Sequence, residues 1–88
     1  MMFEDLPEGY ERYSDVVLVD GEPVERLCIE IWKSGNVWKW SVTRMWSGGG
    51  PEGTAKTRKE AIEKALDAFE RMKREIEEIV RFEGGYYL

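Results

Sequence analysis

The residues best suited to binding or chemistry are concentrated in one segment, residues 31–46, with the sequence IWKSGNVWKWSVTRMW. The segment holds all four tryptophans of the chain and three cationic side chains but no acid, although the whole protein has a net charge of −5. Aromatic and cationic side chains on one surface are typical of proteins that stack nucleobases and neutralise phosphates. Aromatic side chains on strands also form the cores of small domains, so both interpretations stay open.

The alternation of a β-strand separates these tryptophans into two groups. On a strand over residues 37–46, Trp38, Trp40 and Val42 share one face, and we expect that face to pack against a helix. Trp32 is out of register with the apolar positions of the preceding strand, and Trp46 borders a glycine-rich loop, so these two could be exposed. The candidate interaction residues are Trp32, Lys33, Lys39, Arg44 and Trp46.

Catalytic residues are scarce in the sequence. Histidine is absent and Cys28 is the only cysteine, so the commonest general base, an intramolecular disulfide and a cysteine-based metal site are all missing. The acids of residues 15–30 match no calcium-loop spacing, and alternating acids usually mark the solvent-facing side of a strand. The loop SGGGPEG lacks the Gly-Lys-Ser/Thr ending of a phosphate-binding loop. We therefore expect neither an enzyme nor a bound metal or cofactor.

Length and composition favour a single soluble domain. A chain of 88 residues can bury one core. No apolar run could span a bilayer, and the N-terminal sequence has no signal-peptide pattern, so we expect a cytoplasmic protein without membrane contact. Glutamine is missing and asparagine occurs once, which is a bias seen in heat-adapted proteins and suggests a thermophilic source.

Turn and capping signals divide the chain into strands and one helix. Asp20-Gly21 and Gly35-Asn36 predict the turns between three strands, and TAKT predicts a short fourth strand over residues 54–57. TRKE predicts a capping box, in which the Thr57 hydroxyl accepts from the Glu60 amide while the Glu60 carboxylate accepts from the Thr57 amide. An apolar stripe then continues along residues 61–80, and acid–base pairs four residues apart lie on the opposite face.

These elements predict an α+β fold, with an antiparallel meander of three to four strands packed on one long C-terminal α-helix. The predicted segments of this single domain are an N-terminal arm (1–12), the β-meander (13–46), a glycine-rich loop with a possible short strand (47–56), the helix (57–82) and a tail (83–88). The last helical turns, residues 76–80, should overhang the sheet and be covered by residues 1–10, by residues 86–88 or by a second subunit. By parity, the uncovered face of the sheet should carry Cys28, Trp32, Val37 and Met45.

The junction between the last strand and the helix resembles a known pattern. The matching residues are Gly53, Ala55, Thr57, Glu60, Ala61 and Ile62. This order resembles small phage, plasmid and prophage proteins of unknown function and, more distantly, the HicB antitoxin family. The resemblance covers about the C-terminal half of the chain, which has no counterpart of the DNA-binding extension of HicB. It implies a sheet backed by one helix and an origin in a mobile element, and it carries over no site residue.

Two functions remain open from the sequence. The first is a non-enzymatic protein-interaction module, for instance an accessory or inhibitor protein of a phage or mobile element, that binds a protein partner or forms a homodimer. It would use the open sheet face and an acidic rim drawn from residues 4–30. The second is single-stranded nucleic-acid binding through the five candidate residues.

Overall fold

The computed structural model describes residues 9–83, so the predicted covering segments at the two termini lie outside the described residues. The elements are β1 (Tyr10–Val19), β2 (Glu22–Ser34), β3 (Val37–Arg44), β4 (Glu52–Ala55) and α1 (Arg58–Glu83). The four strands form one antiparallel sheet in the order β1-β2-β3-β4, and α1 packs against one face of it. The predicted α+β meander with one C-terminal helix is confirmed.

Three strand boundaries differ from the prediction. β1 already begins at Tyr10, where its first residues pair with the end of β2, so part of the predicted N-terminal arm belongs to the sheet. β3 ends at Arg44 rather than residue 46, because the chain turns there and the Gly48 amide donates to the Arg44 carbonyl at 2.8 Å. β4 covers residues 52–55, two residues earlier than predicted.

The β1–β2 hairpin follows from its turn residues. Asp20 and Gly21 both have positive φ, at 52° and 82°, which matches the twist that a two-residue hairpin turn requires. Next to this turn the register shifts between Val17 and Leu18. Val17 and Val19 nevertheless both point into the core, whereas Leu18 is exposed.

The core lies between α1 and the sheet face that carries the odd-numbered positions of β2 and the even-numbered positions of β3. Trp40 and Val42 are buried there and Trp38 packs partly against the cluster, as the alternation predicted. Three alanines of α1 line the same core and leave room for large side chains. The helix residues of the buried cluster are Ala61, Ala65, Ala68, Phe69, Met72, Ile76 and Val80.

The two ends of α1 agree only partly with the predictions. At the start, the Thr57 hydroxyl accepts from the Glu60 amide at 3.1 Å, but the Glu60 carboxylate contacts Lys64 at 3.0 Å and the backbone of Lys56 instead of the Thr57 amide. At the end, Ile76 and Val80 are buried, and whether terminal segments cover them stays a prediction, since residues 1–8 and 84–88 lie outside the described residues. No helix of the described part of the chain is long and apolar enough to cross a membrane.

Candidate functional site

The sheet brings two of the five predicted interaction residues together. Trp32 of β2 lies directly opposite Lys39 of β3, on the face that α1 does not cover. Tyr10 pairs with Trp32 from the other side and stacks on it, with ring centroids 5.8 Å apart and an interplanar angle of 22°. Lys33 is one residue further along β2 and therefore belongs to the opposite, helix-facing side, where it pairs with Trp38.

Arg44 and Trp46 lie towards the other end of β3. Arg44 is five positions from Lys39, which corresponds to about 17 Å along the strand. It pairs with Leu27 on the helix-facing side, and its Nη1 donates to the Gly49 carbonyl at 3.5 Å. Trp46 follows β3 in the turn and is 56% exposed. The five predicted residues therefore do not form one continuous site.

A small groove adjoins the Trp32–Lys39 pair at the β4 edge of the sheet. It has a volume of about 260 Å³ and is lined by Trp32, Lys39, Trp40, Glu52, Gly53 and Thr54. The buried Nε1 of Trp40 has no hydrogen-bond partner in the described structure and lies against Gly53. Lys39 and Glu52 give the groove charges of both signs, which makes it less suited to a phosphate than a purely cationic site.

The centre of the uncovered face is polar and internally bonded. The Tyr10 hydroxyl donates to the Glu30 carboxylate, and Arg12 contacts the same carboxylate at 3.4 Å. Further along, Arg26 Nη1 donates to the Ser14 hydroxyl at 3.1 Å, and Cys28 is buried between these pairs. This face is therefore not the apolar surface that the prediction of an open binding face would favour.

Glu25 is a buried structural residue, so the expectation that the acids of residues 15–30 face solvent is wrong for it. Its side chain is 1% exposed, and its carboxylate accepts hydrogen bonds from the Ser47 hydroxyl and from the amides of Arg26, Trp46 and Ser47. Burial alone would raise the pKa of this carboxyl, but the four hydrogen bonds together lower it below its ordinary value. Glu25 lies two residues before Leu27 and therefore on the same, core-facing side of β2. The alternation of the strand could have indicated its burial.

An apolar concavity lies on the other side of the sheet, between β1 and α1. This β1–α1 groove has a volume of about 350 Å³. Its apolar lining consists of Tyr13, Ile29, Ile31, Ile62 and Leu66, and Glu11, Arg12 and Arg58 complete it. It exists because α1 packs mainly over β2 and β3, which leaves the flank of the helix and the side of β1 partly uncovered.

An ion pair closes one end of the β1–α1 groove. Both carboxylate oxygens of Glu11 accept from the Arg58 guanidinium, and these hydrogen bonds lower the pKa of the Glu11 carboxyl against the opposing effect of burial. Along the groove, burial raises the pKa of the Tyr13 phenol, and the neighbouring Asp15 carboxylate adds to this increase. The Tyr13 ring lies 6.5 Å from the ring of Phe69 in the helix.

The β1–α1 groove lies beside β1, which is an edge strand of the sheet among the described residues. β1 has ten residues and pairs with β2 alone, so its outer edge faces no other strand of the described residues. An unpaired edge presents backbone amides and carbonyls that can accept a further strand. An apolar groove and a free edge therefore occur side by side.

Comparisons with protein-family models, with curated proteins and with solved structures find no match for this chain. The resemblance to HicB antitoxins therefore remains a prediction. Within the described residues, no group of three acids or cysteines is placed to hold a metal ion.

Proposed function

We propose that this protein is a non-catalytic protein-interaction module whose binding surface is the β1–α1 groove. The observation that carries the proposal is the position of an apolar groove of about 350 Å³ beside the edge of β1 that no described strand covers. Leu66, on its rim, is 46% exposed even though it belongs to the apolar stripe of the helix. Leu66 and the apolar lining of the groove form one contiguous apolar surface, and such surfaces are typical of sites that another protein covers.

The charged residues near the groove support binding rather than catalysis. Glu11 and Arg58 neutralise each other at one end of the groove, and its floor and walls are formed by aliphatic and aromatic side chains. Elsewhere, Glu25 and Glu30 are occupied by hydrogen bonds within the fold. Among the described residues that line the groove, Glu11 is the one carboxylate and it is bound to Arg58, so the lining offers no free acid–base pair of the kind that hydrolytic chemistry needs.

The predicted class of function, a protein-interaction module, is kept, but the proposed binding surface is the β1–α1 groove and not the open sheet face. The open sheet face and the acidic rim are a weaker basis, because Glu11, Glu25 and Glu30 are engaged within the fold. A role as an accessory or inhibitor protein of a phage or mobile element, and a cytoplasmic location, rest on the resemblance and the composition alone and stay predictions.

Selection of a random peptide library on the immobilised protein tests the proposal. We expect enriched peptides whose affinity, measured by fluorescence anisotropy, falls about tenfold or more for Leu66→Glu. Ile79→Glu is the matched control, since Ile79 is 43% exposed on the same helix and does not line the groove. Peptides that bind wild type and Leu66→Glu equally well would contradict the use of the groove.

A second candidate function, single-stranded nucleic-acid binding, is favoured by the row formed by Tyr10, Trp32 and Lys39 on the uncovered face. Stacked aromatic rings beside a cation can hold a nucleobase and its phosphate. The neighbouring Glu52 and the net charge of −5 make this the weaker candidate. Titration with oligothymidylate at low salt should then quench the fluorescence of wild type and not that of Trp32→Phe/Lys39→Ala. No quenching of wild type would exclude it.

A further inference from the structure

Resting on the function proposed above, we infer that the β1–α1 groove takes an extended segment of another protein, which adds to β1 as a fifth strand. The segment carries large apolar side chains at alternate positions on its helix-facing side. Main-chain hydrogen bonds to the edge of β1 supply part of the affinity, and the groove selects the side chains.

The spacing of the groove residues fits an added strand. A strand beside β1 would lie about 4.8 Å from it, and its alternate side chains, about 6.7 Å apart, would rise next to the flank of α1. Ile62 and Leu66 are four residues apart on that flank, which separates them by about 6 Å along the helix axis. The spacing of the helix-facing side chains of the added strand is thus close to the spacing of Ile62 and Leu66 along the helix.

The usable edge of β1 is its first part. The register of β1 against β2 shifts between Val17 and Leu18, and irregularities of this kind commonly end pairing at a sheet edge. The groove residues of β1, from Glu11 to Tyr13, precede this point. A segment of about five to seven residues, the usual length of a strand, is therefore sufficient.

A second copy of this chain is a poor occupant, because its own β1 carries acids at the positions that would enter the groove. If two copies paired through β1 in antiparallel orientation about a two-fold axis, the helix-facing residues of one β1 would lie beside the helix-facing residues of the other. The side chains entering the groove would then come from Glu11, Tyr13 and Asp15 of the second copy. Burying a carboxylate against Ile62 and Leu66 is unfavourable, since neither offers it a hydrogen bond. The chemistry favours a different protein.

Synthetic peptides test this mode of binding. The probe is a fluorescein-labelled peptide of about nine residues in which isoleucine alternates with threonine, with a lysine at each end. Two further peptides carry N-methyl groups on the isoleucine amides or on the threonine amides. In an added strand the amides of alternate residues point to the same side, so either the isoleucine amides or the threonine amides donate to β1, but not both. The peptide methylated on the donating amides should bind about tenfold or more weakly, while the other methylated peptide should bind like the parent. Leu66→Glu should weaken the parent peptide and Ile79→Glu should not, with urea unfolding checking that both variants fold.

The outcomes separate this inference from the proposed function. Binding that depends on Leu66 but tolerates both methylated peptides would overturn strand addition and leave the groove as a binding surface. No binding of the parent peptide to wild type would also overturn strand addition, and the random-library selection would still decide on the groove. Sedimentation equilibrium that shows a dimer dissociated by Leu66→Glu would instead identify a second copy as the occupant and overturn the inference.

Discussion

Ser47 and Glu25 are joined across one end of the sheet, where both the hydroxyl and the amide of Ser47 donate to the Glu25 carboxylate. The Trp46 amide donates to the same group at 2.9 Å. A buried carboxylate near the start of β2 thus holds the turn that follows β3 and sets the position of the Trp46 backbone. The exposed indole of Trp46 is presented from a turn that these bonds and the bond from the Gly48 amide to the Arg44 carbonyl hold in place.

Replacing the buried acid should destabilise the fold. Glu25→Gln keeps the shape of the side chain but brings an amide group towards donors, so at least one of the present hydrogen bonds is lost and a buried donor lacks a partner. We expect a loss of about 1–3 kcal/mol in the free energy of unfolding, measured by urea denaturation. Glu22→Gln, at an exposed position of the same strand, should change it by less than about 0.5 kcal/mol. Equal stability of the two variants would show that the carboxylate is dispensable.

Stability should decline at acidic pH because of the same residue. The pKa of Glu25 is lower in the folded protein than its ordinary value of 4.5, so its contribution is complete above that value and is lost as the pH falls through the folded pKa. The pKa of Glu11 is lowered as well, by the hydrogen bonds from Arg58, and adds a smaller decline in the same direction. Urea midpoints measured from about pH 6 to pH 3 should fall more steeply for wild type than for Glu25→Gln. Parallel curves for the two proteins would assign the acid sensitivity to other groups.

Gly53 is required by the close approach of an indole ring. A Cβ at this position would lie 2.9 Å from Nε1 and 3.0 Å from Cε2 of Trp40. Because Trp40 is packed in the core, we expect Gly53→Ala to lower the free energy of unfolding by about 1–3 kcal/mol. The neighbouring exposed Thr54 gives the control Thr54→Ala. In the double variant with Trp40→Phe the added methyl should be less harmful, and strictly additive effects would refute the steric explanation.

The tryptophans should differ in their access to a soluble quencher. Trp46 is 56% exposed and Trp40 is 8% exposed, so acrylamide should quench the fluorescence of the first much more strongly. Trp46→Phe should therefore reduce the quenchable part of the emission, whereas Trp40→Phe should increase the quenchable share of what remains. Indistinguishable quenching of the two variants would contradict the assignment of Trp40 to the core and Trp46 to the surface.

The sequence by itself determined the features that depend on neighbouring residues. The Asp20-Gly21 turn, the Thr57 cap and the period of two in β2 and β3 act over a few residues, so the order of the elements and the burial of Trp40 and Val42 follow from them. For the same reason the alternation of the strands separated Trp38 and Trp40 from Trp32 and Trp46. Parity could also have indicated that Glu25 faces the core.

Only the tertiary structure decided where a binding surface could lie. Helical periodicity shows that Ile62 and Leu66 belong to the apolar stripe, but it does not show where across the sheet α1 packs. That position depends on how the side chains of the two layers fit together over long sequence distances. Because α1 packs towards β2 and β3, the groove opens beside β1 and not on the open face that carries Trp32. The same packing brings Glu11 to Arg58 and Glu25 to Ser47, pairs that no short stretch of sequence contains.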